Sequence, residues 1–270
     1  MPGRMPEFLS RRRPALIGVV HLGPLAGAPR YRGALAPVLA AALRDARALV
    51  RGGCDALIVE NFGDVPFHAS RVPPETVACM ARALEAVRAA HPRIPLGVNV
   101  LRNDARAALG LCAAFELEFL RVNVHAGAAV TDQGLIAGRA AETLRERARL
   151  CPRTAIWADV HVKHATQLSD ATLAESAAEL VQRALADALI VTGRATGSAP
   201  AAEELAEVAA ATRAPLLVGS GLEAANARAL LAHAQGAIVG TALKRGGRVS
   251  APVDEARVRA LAAVFRRVPR

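Results

Sequence analysis

Phe119-Leu120-Arg121-Val122-Asn123-Val124-His125 and Ala155-Ile156-Trp157-Ala158-Asp159-Val160-His161-Val162-Lys163 each begin as a short apolar run and then place polar residues at every second position. That period is a strand's, and an apolar start on both faces marks a strand covered on both sides. Six further runs rich in Val, Ile and Leu occupy 15–20, 56–60, 96–101, 188–191, 216–218 and 237–239. Between the runs the apolar period lengthens to that of a helix. Leu35, Val38, Leu39, Ala42, Leu43, Ala46, Leu49 and Val50 form one such stripe, flanked by Arg44, Arg47 and Arg51. Asp254 is placed to cap a last helix whose buried face is Val258, Leu261, Ala262 and Phe265. Eight strand–helix units in a 270-residue chain predict an α/β fold with one (β/α)8 TIM barrel over 15–268, preceded by a basic extension over 1–14. A doubly wound open sheet is the competing arrangement of the same elements.

Composition narrows the function. Apolar residues make up 53% and charged residues 21%, so the chain is globular rather than disordered. No apolar run reaches the roughly 18 residues of a membrane span. The apolar stretch after Arg11-Arg12-Arg13 reads as a strand rather than a signal segment, giving a cytoplasmic expectation. Cys54, Cys79, Cys112 and Cys151 lack zinc spacing and read as structural filler. The net charge of +10 does not make a nucleic-acid binder: the arginines are scattered, and one Trp, one Tyr and six Phe supply few stacking platforms. An anionic metabolite or membrane surface remains compatible with that charge, and a homo-oligomer with the composition.

In a barrel the chemistry sits where strands end, and here those ends are polar. They carry His21; Glu60 and Asn61; Asn99, Arg102 and Asn103; Arg121, Asn123 and His125; and Asp159, His161 and Lys163. Strand alternation turns the last two triplets inward, with Arg121 paired to Asp159 or Glu60. Only Lys163 and Lys244 among 34 basic residues are lysines, so each is a candidate for work that a permanently charged guanidinium cannot do. The seventh and eighth runs end in Gly219-Ser220-Gly221 and Gly240-Thr241. This is the phosphate-binding corner of many barrels, with Ser220 and Thr241 as hydroxyl donors and Lys244 as added charge. Thr192 and Thr196, in the glycine-rich loop after the sixth run, extend that set. The glycine-hinged stretch 126–138, holding Thr131 and Asp132, reads as a lid or as a plain surface connection. Glu60, Asp159, His161 and His164 contain metal-ligating atoms, but the histidine spacing does not suit a metal, so no metal or other cofactor is expected.

The runs Gly18-Val19-Val20-His21-Leu22-Gly23-Pro24-Leu25-Ala26-Gly27, Glu60-Asn61-Phe62-Gly63-Asp64-Val65-Pro66-Phe67 and Gly97-Val98-Asn99-Val100-Leu101-Arg102-Asn103-Asp104 resemble the BtpA/SgcQ family. So do Arg121-Val122-Asn123-Val124-His125 with Thr131-Asp132-Gln133-Gly134, and Ala158-Asp159-Val160-His161-Val162-Lys163-His164. The last matches are Val218-Gly219-Ser220-Gly221 and Val239-Gly240-Thr241-Ala242-Leu243-Lys244. Gln167, where proline is commoner, and Arg194, where a smaller residue is commoner, are the departures. The resemblance implies a barrel of the ribulose-phosphate-binding type. It carries two associations, photosystem I biogenesis in one branch and a sugar-metabolism operon in another, and transfers no catalytic residues.

Together these readings predict lyase- or isomerase-type chemistry on a small phosphorylated substrate, sugar- or nucleotide-derived. Lys163, His161, Asp159 and Glu60 are the catalytic set. His21, Asn61, Asn99, Arg102, Arg121, Asn123, His125, Asp132, Thr192 and Thr196 line the substrate. Gly219, Ser220, Gly221, Gly240, Thr241 and Lys244 hold phosphate. The alternative is a non-catalytic assembly or regulatory factor that keeps the ligand site and carries an apolar surface patch for a partner.

Overall fold

A computed structural model describes residues 3, 5–162, 164–193 and 198–268. In chain order its strands are β1 (Ala15–His21), β2 (Ala56–Glu60), β3 (Leu96–Asn99), β4 (Phe119–Val122), β5 (Ala128–Thr131), β6 (Gly134–Ala137), β7 (Ala155–Asp159), β8 (Ala165–Gln167), β9 (Ala188–Val191), β10 (Leu216–Val218) and β11 (Gly236–Val239). The helices are α1 (Ala36–Gly52), α2 (Pro74–Ala90), α3 (Ala105–Phe115), α4 (Ala140–Leu150), α5 (Leu173–Gln182), α6 (Ala202–Ala211), α7 (Ala227–Leu231) and α8 (Glu255–Arg267). Eight of the strands close a parallel barrel in the order β1-β11-β10-β9-β7-β4-β3-β2. These are the eight runs read from the sequence, and the chain is a (β/α)8 barrel. Among the described residues no helix is long and apolar enough to cross a membrane.

Two apolar layers hold the barrel. The outer one lies between strands and helices and includes Leu49, Met80, Leu84, Leu109, Leu205 and Val258. The inner one fills the barrel with Ile17, Ile58, Phe119, Trp157, Ile190 and Ile238. Phe119 and Trp157 stack at 3.7 Å between ring centroids. Phe8 meets both rings edge-on at 6.1 and 6.2 Å, and Leu9 is buried beside it. The basic segment before β1 therefore does more than carry charge: it plugs the end of the barrel opposite the mouth. Arg11 and Arg13 pin it by ion pairs to Asp55 at 3.0 and 2.6 Å.

α8 forms as its sequence indicates. The Asp254 carboxylate accepts from the Ala256 amide at 3.0 Å, and Val258, Leu261, Ala262 and Phe265 are buried. The 126–138 stretch differs from the lid expected of it. It is a β5–β6 hairpin that β8 extends into a three-stranded antiparallel sheet, so backbone pairing holds it in place of hinged glycines. The Thr131 hydroxyl closes the turn by donating to the Gly134 carbonyl at 3.0 Å. Ala129 and Ile136 form the inner face with Val124 and Val162. Val130 and Leu135 sit opposite each other on the outer face. Leu168, whose amide donates to the Ala128 carbonyl, continues that face by strand alternation.

Candidate active site

Strand register assembles the first row of the mouth. His21 lies beside Glu60, and Glu60 beside Asn99, on three adjacent strands. Asn99 donates to Glu60 Oε2 at 2.8 Å, and His21 Nε2 lies 3.9 Å from Glu60 Oε1. His21 also packs on Phe62, with ring centroids 4.4 Å apart. A Cβ at Gly240 would come within 2.7 Å of the His21 ring, so glycine there leaves room for the imidazole.

The second row is the ion pair that the sequence suggested. Arg121 donates from Nε and Nη2 to the two Asp159 oxygens, each at 2.9 Å, and Asn123 adds a bond to Oδ2 at 3.0 Å. Burial pulls the Arg121 pKa down, but the Asp159 charge and hydrogen bonds outweigh it and leave the pKa raised. Three donors converge on Asp159, and the His161 ring nitrogen Nε2 meets the Ser176 hydroxyl instead of that carboxylate. Arg102 is buried nearby, and burial lowers its pKa against the partly offsetting charges of Asp159 and Asp132.

Two adjoining cavities open on these rows and share Glu60, Phe62 and Arg121. The first, about 400 Å³, is rimmed by Gly219, Ser220, Gly221, Gly240, Thr241 and Arg257. The second, about 350 Å³, is lined by Asn99, Arg102, Asn123, Asp132 and His164, with an apolar wall of Val65, Phe67 and Leu101.

Several expected side chains point elsewhere. β7 ends at Asp159, so alternation stops there; His161 turns to Ser176 on α5 at 3.0 Å, and burial lowers its pKa. β4 ends at Val122; His125 bonds the Ala184 carbonyl at 2.9 Å, and burial lowers its pKa also. Asn61 is spent on Asp64 and on the Leu101 amide. The Thr192 hydroxyl donates to the His161 carbonyl at 3.3 Å. The Ser220 hydroxyl donates to the Ser198 carbonyl at 2.9 Å, so its proton is not offered to an anion. Lys244 is 3% exposed and its ammonium lies 3.3 Å from Asp45 on α1, away from the glycine rim. Lys163 and Thr196 fall outside the described residues. Among the described residues no group of three or more His, Cys, Asp or Glu side chains is placed to hold a metal ion.

Among the described residues the cation at the rim is Arg257, which the sequence reading missed. Its Nε donates to the Ala242 carbonyl at 2.8 Å, fixing the side chain beside Gly240 and Thr241. A signal was available, because Arg257 stands in the first turn of α8, where the helix dipole disfavours a cation. Phe62, quoted in a motif without a role, and His164, weighed only as a metal ligand, both line the mouth.

The model of the BtpA family matches residues 12–267, a span that takes in every barrel strand and both cavities. This chain belongs to the BtpA family. An uncharacterised protein from Thermococcus kodakarensis is 45% identical over 251 residues, covering 92% of this chain and 94% of its own. The photosystem I biogenesis protein BtpA of Synechocystis is 44% identical over 247 residues, covering 91% and 85%. Among solved structures, a tryptophan synthase chain from Mycobacterium tuberculosis superposes with a TM-score of 0.64 at 22% identity, covering 98% of this chain and 99% of that one. At that identity the likeness concerns the fold alone.

Proposed function

We propose that this BtpA-family barrel is an enzyme that holds a small phosphorylated substrate across both cavities. The observation that carries the reading is their continuity: a glycine rim beside Arg257 opens directly onto a row of carboxylates, amides and guanidiniums through the shared Glu60, Phe62 and Arg121. Phosphate takes the rim, bound by the backbone around Ser220–Gly221 and Gly240–Thr241 and by the Arg257 guanidinium, the Gly219 amide being spent on the Val191 carbonyl. The reacting carbons lie over Glu60 and His21, whose spacing and partial exposure suit proton transfer next to a carbonyl. Lys163 polarises that carbonyl or forms an imine with it. This is lyase- or isomerase-type chemistry, with the sequence-based roles of His161 and Asp159 passing to His21 and Glu60.

A thermal-shift screen of phosphorylated metabolites tests it. A ligand at 100 times its dissociation constant adds about 2.7 kcal/mol, a rise of roughly 5–10 °C at this chain size. Glu60→Gln and Lys163→Arg are expected to keep the shift and lose turnover of the compound that produces it. Absence of any shift across the panel, or full turnover by both variants, rejects the reading.

One observation favours the second reading, a partner-binding factor. Val130, Leu135 and Leu168, exposed by 46%, 61% and 59%, share the outer face of the capping sheet. The Synechocystis relative, a photosystem I biogenesis protein, points the same way.

A further inference from the structure

We infer that the cavity beyond Arg121 selects a ligand group that donates hydrogen bonds, and that Asn123 is the residue that reads it; this rests on the phosphate reading above. The Asn123 amide has a fixed orientation. A carboxylate only accepts, and Asp159 Oδ2 takes the Nδ2 proton at 3.0 Å, which turns Oδ1 away from Asp159. Oδ1 is buried with no hydrogen-bond partner among the described residues, and Asn123, 3% exposed, lines the cavity. A buried carbonyl oxygen without a donor loses its hydration and gains nothing in return. A ligand hydroxyl or ammonium supplies the missing proton, and a ligand carboxylate does not.

Charge acts in the same sense. Among the described residues the guanidiniums of Arg121 and Arg102 face three carboxylates, Asp159, Glu60 and Asp132. A further carboxylate brought by a ligand adds to that excess of negative charge. The wall of Phe62, Val65, Phe67 and Leu101 takes the carbon chain. The ligand is short. A Cβ at Gly219 would lie 3.5 Å from Arg121 Nη2, and that nitrogen donates to the same Asp159 oxygen that Asn123 contacts. One guanidinium and one carboxylate therefore separate the phosphate rim from Asn123, a gap that a few carbons bridge.

Titration calorimetry on the full chain with a matched series of probes decides it. The probes are inorganic phosphate, butyl phosphate, erythritol and threitol 4-phosphates, 4-aminobutyl phosphate and 4-phosphonooxybutanoate. A polyol phosphate or the amine is expected to bind about tenfold more tightly than butyl phosphate, as one recovered hydrogen bond implies. The carboxylate probe is expected to bind more weakly than butyl phosphate. A gain confined to the polyols identifies hydroxyl as the donor, and one confined to the amine identifies ammonium. Asn123→Ala is expected to bring the favoured probe to within about twofold of butyl phosphate while inorganic phosphate affinity stays unchanged. Asn123→Leu, which keeps the volume and removes the acceptor, replaces it if the alanine variant does not fold. The inference is overturned if no probe exceeds butyl phosphate, if the carboxylate binds most tightly, or if the variant weakens every probe equally. Failure of inorganic and butyl phosphate to bind the wild-type protein refutes the phosphate reading instead, a separate result.

Discussion

Replacing Arg121 by Met removes the guanidinium at nearly constant length and leaves Asp159 with only the Asn123 bond. Both partners are almost inaccessible, at 4% and 0% for the side chains, and the pair is bidentate at 2.9 Å on each arm. Breaking such a pair from one side costs about 3–5 kcal/mol, because the remaining carboxylate stays buried and uncompensated. At roughly 2–4 °C per kcal/mol for a chain of this size, Arg121→Met should melt about 6–20 °C below wild type. The double variant Arg121→Met, Asp159→Leu removes both charges and should recover most of that loss, since a buried pair replaced by apolar side chains is often neutral or stabilising. Scanning calorimetry on wild type, the two single variants and the double variant closes the cycle. A single variant within about 1 kcal/mol of wild type, or a double no more stable than Arg121→Met, refutes the view that mutual compensation holds these charges in the barrel.

Arg257→Ala should weaken inorganic phosphate binding by about tenfold with little change in melting temperature. Lys244→Met should do the reverse, lowering stability by about 3–5 kcal/mol through the stranded Asp45 while leaving phosphate affinity alone; a joint phosphate titration and melt distinguishes them. Burial lowers the folded pKa of His125 below its ordinary 6.5, so the unfolded chain binds a proton that the folded one refuses. His125 therefore favours the fold fully above pH 6.5, and that contribution is lost as pH falls through its lowered folded pKa. His125→Gln, which retains a donor for the Ala184 carbonyl, should flatten the decline in urea-denaturation midpoints; an unchanged slope would falsify the assignment. Phe8→Ala should cost about 3–5 kcal/mol by emptying the plug beneath Phe119 and Trp157. A loss under about 1 kcal/mol would show that the plug is dispensable.

The barrel was legible because its strands are apolar on both faces and its helices on one, so two periods alternate cleanly along the chain. The row of His21, Glu60 and Asn99 was legible for the same reason, since strand ends fall at one level. What failed was extrapolation of the strand period past the last ladder bond. β7 stops at Asp159 and β4 at Val122, and beyond those points neither His161 nor His125 is bound to face inward. The capping sheet was illegible for another reason. β8 is three residues long and pairs with β5 across more than thirty positions of intervening chain, a contact that local periodicity does not encode.

The two lysines show where a better reading lay. Scarcity singled out Lys244 but did not say what it faces. Asp45 did: it sits among Ala42, Ala46 and Leu49 on the buried face of α1, where an unpaired carboxylate is costly, so it calls for a cation from elsewhere in the chain. The same rule assigns Arg121, inside the barrel, to Asp159. It also bears on Asn123, whose amide nitrogen is satisfied by Asp159 while its oxygen is not. A buried polar group on an apolar face is costly without a partner. Where the described chain supplies one, the group is structural, as at Asp45. Where it supplies none at the mouth of a barrel, as at Asn123, the group marks the place where we propose that a ligand binds.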